Sequence, residues 1–239
     1  MLTVSELSAG YGPMQVVDGV SFELAPGTVT AMLGANGAGK TTTLGAISGS
    51  VRRSGGEVRV GDRRLPARPD AVAALGVVQV PQGRRVFGDL TTRENLLAGT
   101  LRLARADAER EIAAALERLP RLGPLLGRRG GLLSGGEQQM LAIARALVAR
   151  PRVLMIDELS LGLAPKVVSD FEPVLRGLAE CGVTVLMVEQ YATFARRVAD
   201  HLLVMAKGGI AYDGPFDAPE ADAVLADSYL GSVADPAPS

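Results

Sequence analysis

Short, largely apolar runs recur along the chain: "VTAML" at 29–33, "VLMI" at 153–156 and "VTVLMV" at 183–188. They are strand length, and their lack of polar alternation fits strands covered on both faces, as in a parallel sheet. Residues 2–7, 20–25 and 29–33 read as strands, with "APGT" at 25–28 the clearest turn. A helix follows at 40–49, then a strand pair at 57–60 and 76–80. From about Gly83 to Arg150 the texture becomes helical. "TTRENLLAGTLRL" spaces Thr91 and Glu94 as a helix cap, and a helix over 108–119 stops at Pro120. This stretch, about 83–150, reads as a helical insertion. Alternation then resumes: the strand in "RVLMIDE", a helix at 165–179 with Pro165 in its first turn and Gly182 beyond its end, a strand at 183–188, a helix at 191–199 and a hairpin in "HLLVMAKGGIAYDG". Residues 1–230 thus form one domain, and "GSVADPAPS" at 231–239 reads as a flexible tail.

Composition narrows the classes. A mean hydropathy of +0.21 invites a membrane reading. No apolar run approaches the length needed to span a bilayer, and "MLTVSELSAGYG" lacks the order of a secretory signal, so the expectation is a soluble intracellular protein. With 25 Lys plus Arg against 26 Asp plus Glu, the chain as a whole has no attraction for nucleic acid. The single Cys181 excludes an internal disulfide, and the absence of tryptophan argues against a base-stacking platform.

"GANGAGKT" matches G-x-x-x-x-G-K-[ST] after an apolar strand and before a helix, the context that gives this pattern physical meaning. Backbone N–H groups of Gly34, Ala35, Asn36, Gly37, Ala38 and Gly39, with the helix start at Lys40, Thr41 and Thr42, form a phosphate cradle. Lys40 is expected to reach the β- and γ-phosphates and Thr41 to hold Mg²⁺. Downstream, a buried strand releases Asp157 and Glu158 at the end where open parallel sheets bind ligands. Asp157 suits the metal and Glu158 the attacking water; an acid pair at a strand end also suits a helix cap.

"LSGGEQQ" at 133–139 raises a separate question. Ser134 and Glu137 are spaced as a capping box, yet the two residues between them are glycines, which weaken the helix they open. An ordinary capped helix tolerating two glycines is one answer. A helix start stripped of side chains so that a phosphate can approach its N–H groups is the other.

The order Tyr11, "GANGAGKT", Gln82, "LSGGEQQ" and "LMIDE" resembles the nucleotide-binding domain of ATP-binding cassette (ABC) proteins over residues 2 to about 230. The resemblance implies an α/β fold, a P-loop NTPase core of ABC type with an antiparallel β region and an inserted helical subdomain. It implies ATP and Mg²⁺ as ligands, and two domains sandwiching two nucleotides head to tail. Ser134, Gly135 and Gly136 would then face the γ-phosphate held by the other subunit. Tyr11 would stack on adenine with Val16 beside it, and Gln82 would contact Mg²⁺ and the attacking water.

Three positions depart from the family pattern. Gln190 in "LMVEQ" stands where a histidine is common; it can donate an amide hydrogen bond to a phosphate but cannot become cationic. The only histidine, His201, lies at the start of another strand. Leu159 replaces the proline of the usual "DEP", leaving the backbone after Glu158 less pre-set. Ala164 stands where an aspartate is usual.

"GRRVF", "GLAP" and "VEQ" are similar to one of the two ATPases of bacterial branched-chain amino-acid importers, a branch in which Gln190 and Ala164 are expected. That branch usually has glutamate at the position of Gln82, and "VPQGR" is frequent in urea and short-amide importers. The implied partners are a second ATPase subunit, two transmembrane permeases and, indirectly, a secreted or periplasmic solute-binding protein. The implied place is the cytoplasmic face of a bacterial inner membrane. Non-transport ABC ATPases of translation or DNA repair, and a structural subunit with little hydrolysis, are the alternatives; one cassette, no basic tail and an intact Lys40, Asp157 and Glu158 argue against them.

Overall fold

The computed structural model describes residues 1–230; the tail expected at 231–239 lies outside them. Two sheets carry the strands. An antiparallel sheet of order β2–β1–β4–β5 contains β1 (Leu2–Tyr11), β2 (Met14–Leu24), β4 (Arg53–Val60) and β5 (Arg63–Arg64). A mixed sheet of order β10–β9–β3–β8–β7–β6 contains β3 (Val29–Leu33), β6 (Val77–Val80), β7 (Val153–Asp157), β8 (Thr184–Val188), β9 (His201–Ala206) and β10 (Gly209–Pro215). The three largely apolar runs form its central strands β3, β7 and β8, every residue of which is buried, Thr30, Asp157 and Thr184 included. Their neighbours run parallel, except that β10 returns antiparallel to β9.

The helix α1 (Lys40–Ser48) lies between the sheets, its Leu44, Ala46 and Ile47 fully buried in a core shared with Leu2, Val58 and Met155. The opposite face of the mixed sheet packs on a second core. To it belong the helical insertion, α3 (Thr92–Gly99), α4 (Arg105–Arg118) and α5 (Gly135–Leu147), and the helices α6 (Pro165–Ser169), α7 (Glu172–Glu180), α8 (Ala192–Val198) and α9 (Pro219–Leu230). A short α2 (Pro69–Ala74) precedes β6. This is the P-loop NTPase fold of ABC type, with its mixed sheet and helical subdomain.

Several expectations need correction. The runs at 57–60 and 76–80 do not pair: β4 joins β1 and β5 in one sheet, whereas β6 is the edge of the other beside β7. Two adjacent strand-like runs say nothing about which partners long-range packing selects. The helix read at 165–179 is two helices. Pro173 has no N–H to offer the carbonyl four residues back, so the chain breaks after Ser169 and seats fully buried Phe171 at the corner. The first strand continues to Tyr11 rather than stopping at residue 7, and α9 adds a helix where none was read.

Candidate active site

Because β3, β6, β7 and β8 are parallel and in register, their carboxyl ends open on one edge of the sheet. Four segments therefore converge: the loop 34–39 after β3, Gln82 just past β6, Asp157 and Glu158 at the end of β7, and Glu189 and Gln190 after β8.

The loop after β3 turns through left-handed backbone at Gly37 (φ 81°) and Gly39 (φ 106°) before α1 begins. At Gly34 a side chain is excluded: a Cβ would stand 2.2 Å from the Met205 carbonyl oxygen. Lys40 is buried, and its ammonium donates to the carbonyls of Gly34 (2.6 Å) and Ala35 (2.9 Å), curling back over the loop. Burial lowers its pKa, opposed by the charges of Glu158 and Asp157. Thr42, expected in the cradle, is buried within α1 and 6% exposed. Asn36 and Gly37 are exposed.

Thr41 donates its hydroxyl proton to Asp157 Oδ1 at 3.2 Å. Asp157 is buried, and that burial raises its pKa; the neighbouring Glu158 charge adds to the rise, while Thr41 and Lys40 counter it. Glu158 adopts left-handed backbone (φ 53°), uncommon away from glycine, and its Oε2 accepts a hydrogen bond from Gln82 Nε2 at 2.5 Å. Tyr11, Thr41, Gln82, Arg85 and Asp157 line one cleft of about 550 Å³. Val16 is half-buried, with its carbonyl against Gly39 and Gly208. The oxygens of Thr41, Asp157 and Gln82 form a hard donor set suited to Mg²⁺. Among the described residues, no cluster of three or more His, Cys, Asp or Glu side chains could hold a metal. Three protein oxygens would leave the other positions of an octahedral Mg²⁺ to phosphate oxygens and water.

Gln190 follows β8 at this same edge, and its backbone carbonyl accepts the Tyr229 hydroxyl of α9 at 2.6 Å. The sequence offered no sign of Tyr229. His201 begins β9 opposite Thr30, at the far end of the sheet, and is hydrogen-bonded through Nε2 to Asp213 at 2.6 Å. Leu159 is fully buried in the core, so a packed side chain restrains the turn where the family pattern carries proline.

The start of α5 is a complete capping box. Ser134 Oγ accepts the Glu137 N–H (3.4 Å), and Glu137 Oε2 accepts the Ser134 N–H (2.7 Å), the bond that lowers the Glu137 pKa. The two glycines have neighbours within the chain. A Cβ on Gly136 would stand 2.6 Å from Val167 Cγ1 of α6, and one on Gly135 would stand 2.8 Å from the Arg84 guanidinium. Close packing inside the chain is thus one reason for glycine here, a reason invisible in the sequence.

Comparison with known proteins agrees with this arrangement. Residues 17–160 match the family described as ABC transporter. The chain is 38% identical to the high-affinity branched-chain amino acid transport ATP-binding protein BraG of Pseudomonas aeruginosa, across 97% of this chain and all of that one. It is 35% identical to a probable branched-chain amino acid transport ATP-binding protein, LivF, of Archaeoglobus fulgidus, across 90% and 92%. Among solved structures, the ADP conformation of an ATP-binding cassette of an ABC transporter superposes with a TM-score of 0.86 at 27% identity, over 98% of this chain and 99% of that one.

Proposed function

The chain belongs to the ABC transporter family as an ATP-binding subunit, and we propose that it hydrolyses ATP to drive uptake of branched-chain or related hydrophobic amino acids. The observation that carries the catalytic part is the Gln82–Glu158 hydrogen bond of 2.5 Å. It joins the loop leading into the helical insertion to the carboxylate just past the end of β7. Lys40 and the loop N–H groups hold the phosphates, and Glu158 orients a water and takes its proton. Gln190 donates an amide hydrogen bond to the γ-phosphate. Thr41, Asp157 and Gln82 would hold Mg²⁺, which neutralises phosphate charge when bound. Tyr11, with Val16 at its side, stacks on the adenine.

Ser134, Gly135 and Gly136 serve the nucleotide of a second ATPase subunit, where the positive end of α5 favours phosphate charge. The subunit works at the cytoplasmic face of a bacterial inner membrane under two permeases, supplied by a secreted or periplasmic solute-binding protein. A groove of about 450 Å³ lined by Pro81, Phe87, Ala98, Leu101 and Ala146 supports permease docking, because it borders both the Gln82 loop and the insertion and leaves Leu101 87% exposed. No helix among the described residues is long and apolar enough to cross a membrane. The substrate assignment rests on the two branched-chain relatives; Gln82 in "VPQGR" favours a urea or short-amide importer as the second reading.

The test is Mg²⁺-dependent ATP hydrolysis by the purified subunit, together with amino-acid binding by the solute-binding protein that partners it. Hydrolysis without leucine, isoleucine or valine binding would keep the ATPase and remove the substrate.

A further inference from the structure

Glu189 is a carboxylate that the proposed hydrolysis does not use. It follows the five buried residues of β8 and is itself 1% exposed. Burying a carboxylate is costly unless its oxygens are hydrogen-bonded. Both are bonded to one residue on another segment: Oε1 accepts the Ser160 N–H at 3.0 Å, and Oε2 accepts the Ser160 hydroxyl at 2.6 Å. Its own N–H is bonded to the Met32 carbonyl at the end of β3.

Ser160 lies two residues beyond Glu158. The Glu158 N–H is tied to the Val188 carbonyl at 2.9 Å, and Leu159 between them is fully buried. Left-handed backbone at a residue with a Cβ persists only where its surroundings over-determine it. Here the constraint on one side of Glu158 is Val188 at the end of β8, and on the other it is Glu189, the next residue along that same strand end. Ser160 also begins the segment "SLGLAP" leading to α6.

We propose that Glu189 is a positioning residue for hydrolysis: its carboxylate clamps Ser160, holding Glu158 in its left-handed turn and anchoring the start of the 160–164 loop. The clamp replaces the restraint a proline at position 159 would supply, and it ties that loop to Gln190, the adjacent residue. The proposal rests on Glu158 being the hydrolytic base.

Three single variants, Glu189→Ala, Glu189→Gln and Ser160→Ala, and the Glu189→Ala/Ser160→Ala double test it, with melting temperature recorded for each. Glu189→Ala is expected to lower kcat about tenfold or more while ATP affinity stays within about threefold, the signature of misplacement rather than lost binding. Glu189→Gln keeps an acceptor for the Ser160 N–H and a donor for its hydroxyl, and is expected to recover kcat to within about threefold of the parent. Glu189→Ala with Ser160→Ala should be no slower than Glu189→Ala alone, because the hydroxyl bond that Ser160→Ala removes is already lost with Glu189.

Amide hydrogen exchange without nucleotide gives a readout independent of catalysis: Ser160 and the 161–164 amides should exchange faster in Glu189→Ala and at the parent rate in Glu189→Gln. A parent that fails to hydrolyse ATP would overturn the ATPase reading, and the exchange data would still decide the clamp. Unchanged exchange, an alanine variant at parent kcat, or a glutamine variant as slow as alanine would overturn the proposal. If Glu189→Ala does not fold, Ser160→Ala carries the test, with slower turnover and faster exchange expected and no change in either contradicting the clamp.

Discussion

At the phosphate loop, each chemical group meets another from the same chain: Lys40 folds onto its own loop, Thr41 meets Asp157, and Gln82 meets Glu158. At the start of α5, Ser134 is bonded to Glu137, Gly135 lies under Arg84 and Gly136 against Val167. None of the hydrogen bonds at the second place involves the first. The loop edge, which the proposed function makes catalytic, is an arrangement that one polypeptide can assemble, because parallel strands bring their ends together. The α5 start is a pre-capped, side-chain-poor surface with a cation beside it, and the proposed function gives it a phosphate only when a second subunit arrives. Variants at the two places should therefore fail in different ways.

The largest effect is expected at the loop edge. Glu158→Gln keeps size and a partner for Gln82 but cannot accept a proton from water. Turnover should fall by roughly two to four orders of magnitude, as for loss of a general base, with equilibrium ATP binding retained. Near-parent turnover would remove Glu158 from that role.

A stability effect follows from Glu189 on the same edge. Burial raises its pKa from 4.5 to about 7 in the folded chain, against the opposing hydrogen bonds from Ser160. The folded state thus holds the proton more tightly than the unfolded state. That contribution is complete below about pH 4.5 and is lost as pH rises through about 7. Glutamine does not titrate, so between those limits the unfolding free energy of the parent should decline relative to Glu189→Gln by about 3 kcal/mol. A difference between the two chains that is flat with pH would contradict a buried, titrating Glu189.

Smaller again is Gln190→Ala, which removes one positioned donor. A loss of roughly 1.5–3 kcal/mol in the turnover barrier is expected for a charge-assisted hydrogen bond. His201→Gln, at the opposite end of the sheet and paired with Asp213, should leave turnover and its pH profile near the parent's. Inactive His201→Gln beside parent-like Gln190→Ala would reverse this mapping.

Motif residues were legible in the sequence where local chain geometry makes the site. "GANGAGKT" between an apolar strand and a helix specifies its own turn, and "VLMIDE" announces a buried strand ending in acids. The insertion also declared itself, through the Thr91–Glu94 cap that the structure forms. Relations between distant segments were not legible. Whether 57–60 pairs with 76–80 depends on which sheet each joins, and Pro173 splits a helix whose periodicity continues across it. Glu189 read as part of a strand-end motif; only its distance to Ser160 gives it a task. The glycines of "LSGGEQQ" suggested phosphate approach, while Val167 supplies a second, internal reason for Gly136.

The smallest expected effect tests the comparison most directly: ATP affinity of isolated Gly135→Asp subunits. The new carboxylate opposes phosphate charge at the α5 start, and Arg84, the flexible neighbour it would crowd, can swing aside or pair with it. If this surface serves the nucleotide of a second subunit, equilibrium ATP binding by isolated Gly135→Asp should match the parent, while ATP-dependent association and hydrolysis are lost. Loss of ATP binding by the isolated variant, at an unchanged melting temperature, would contradict the account and place Gly135 at its own chain's phosphate.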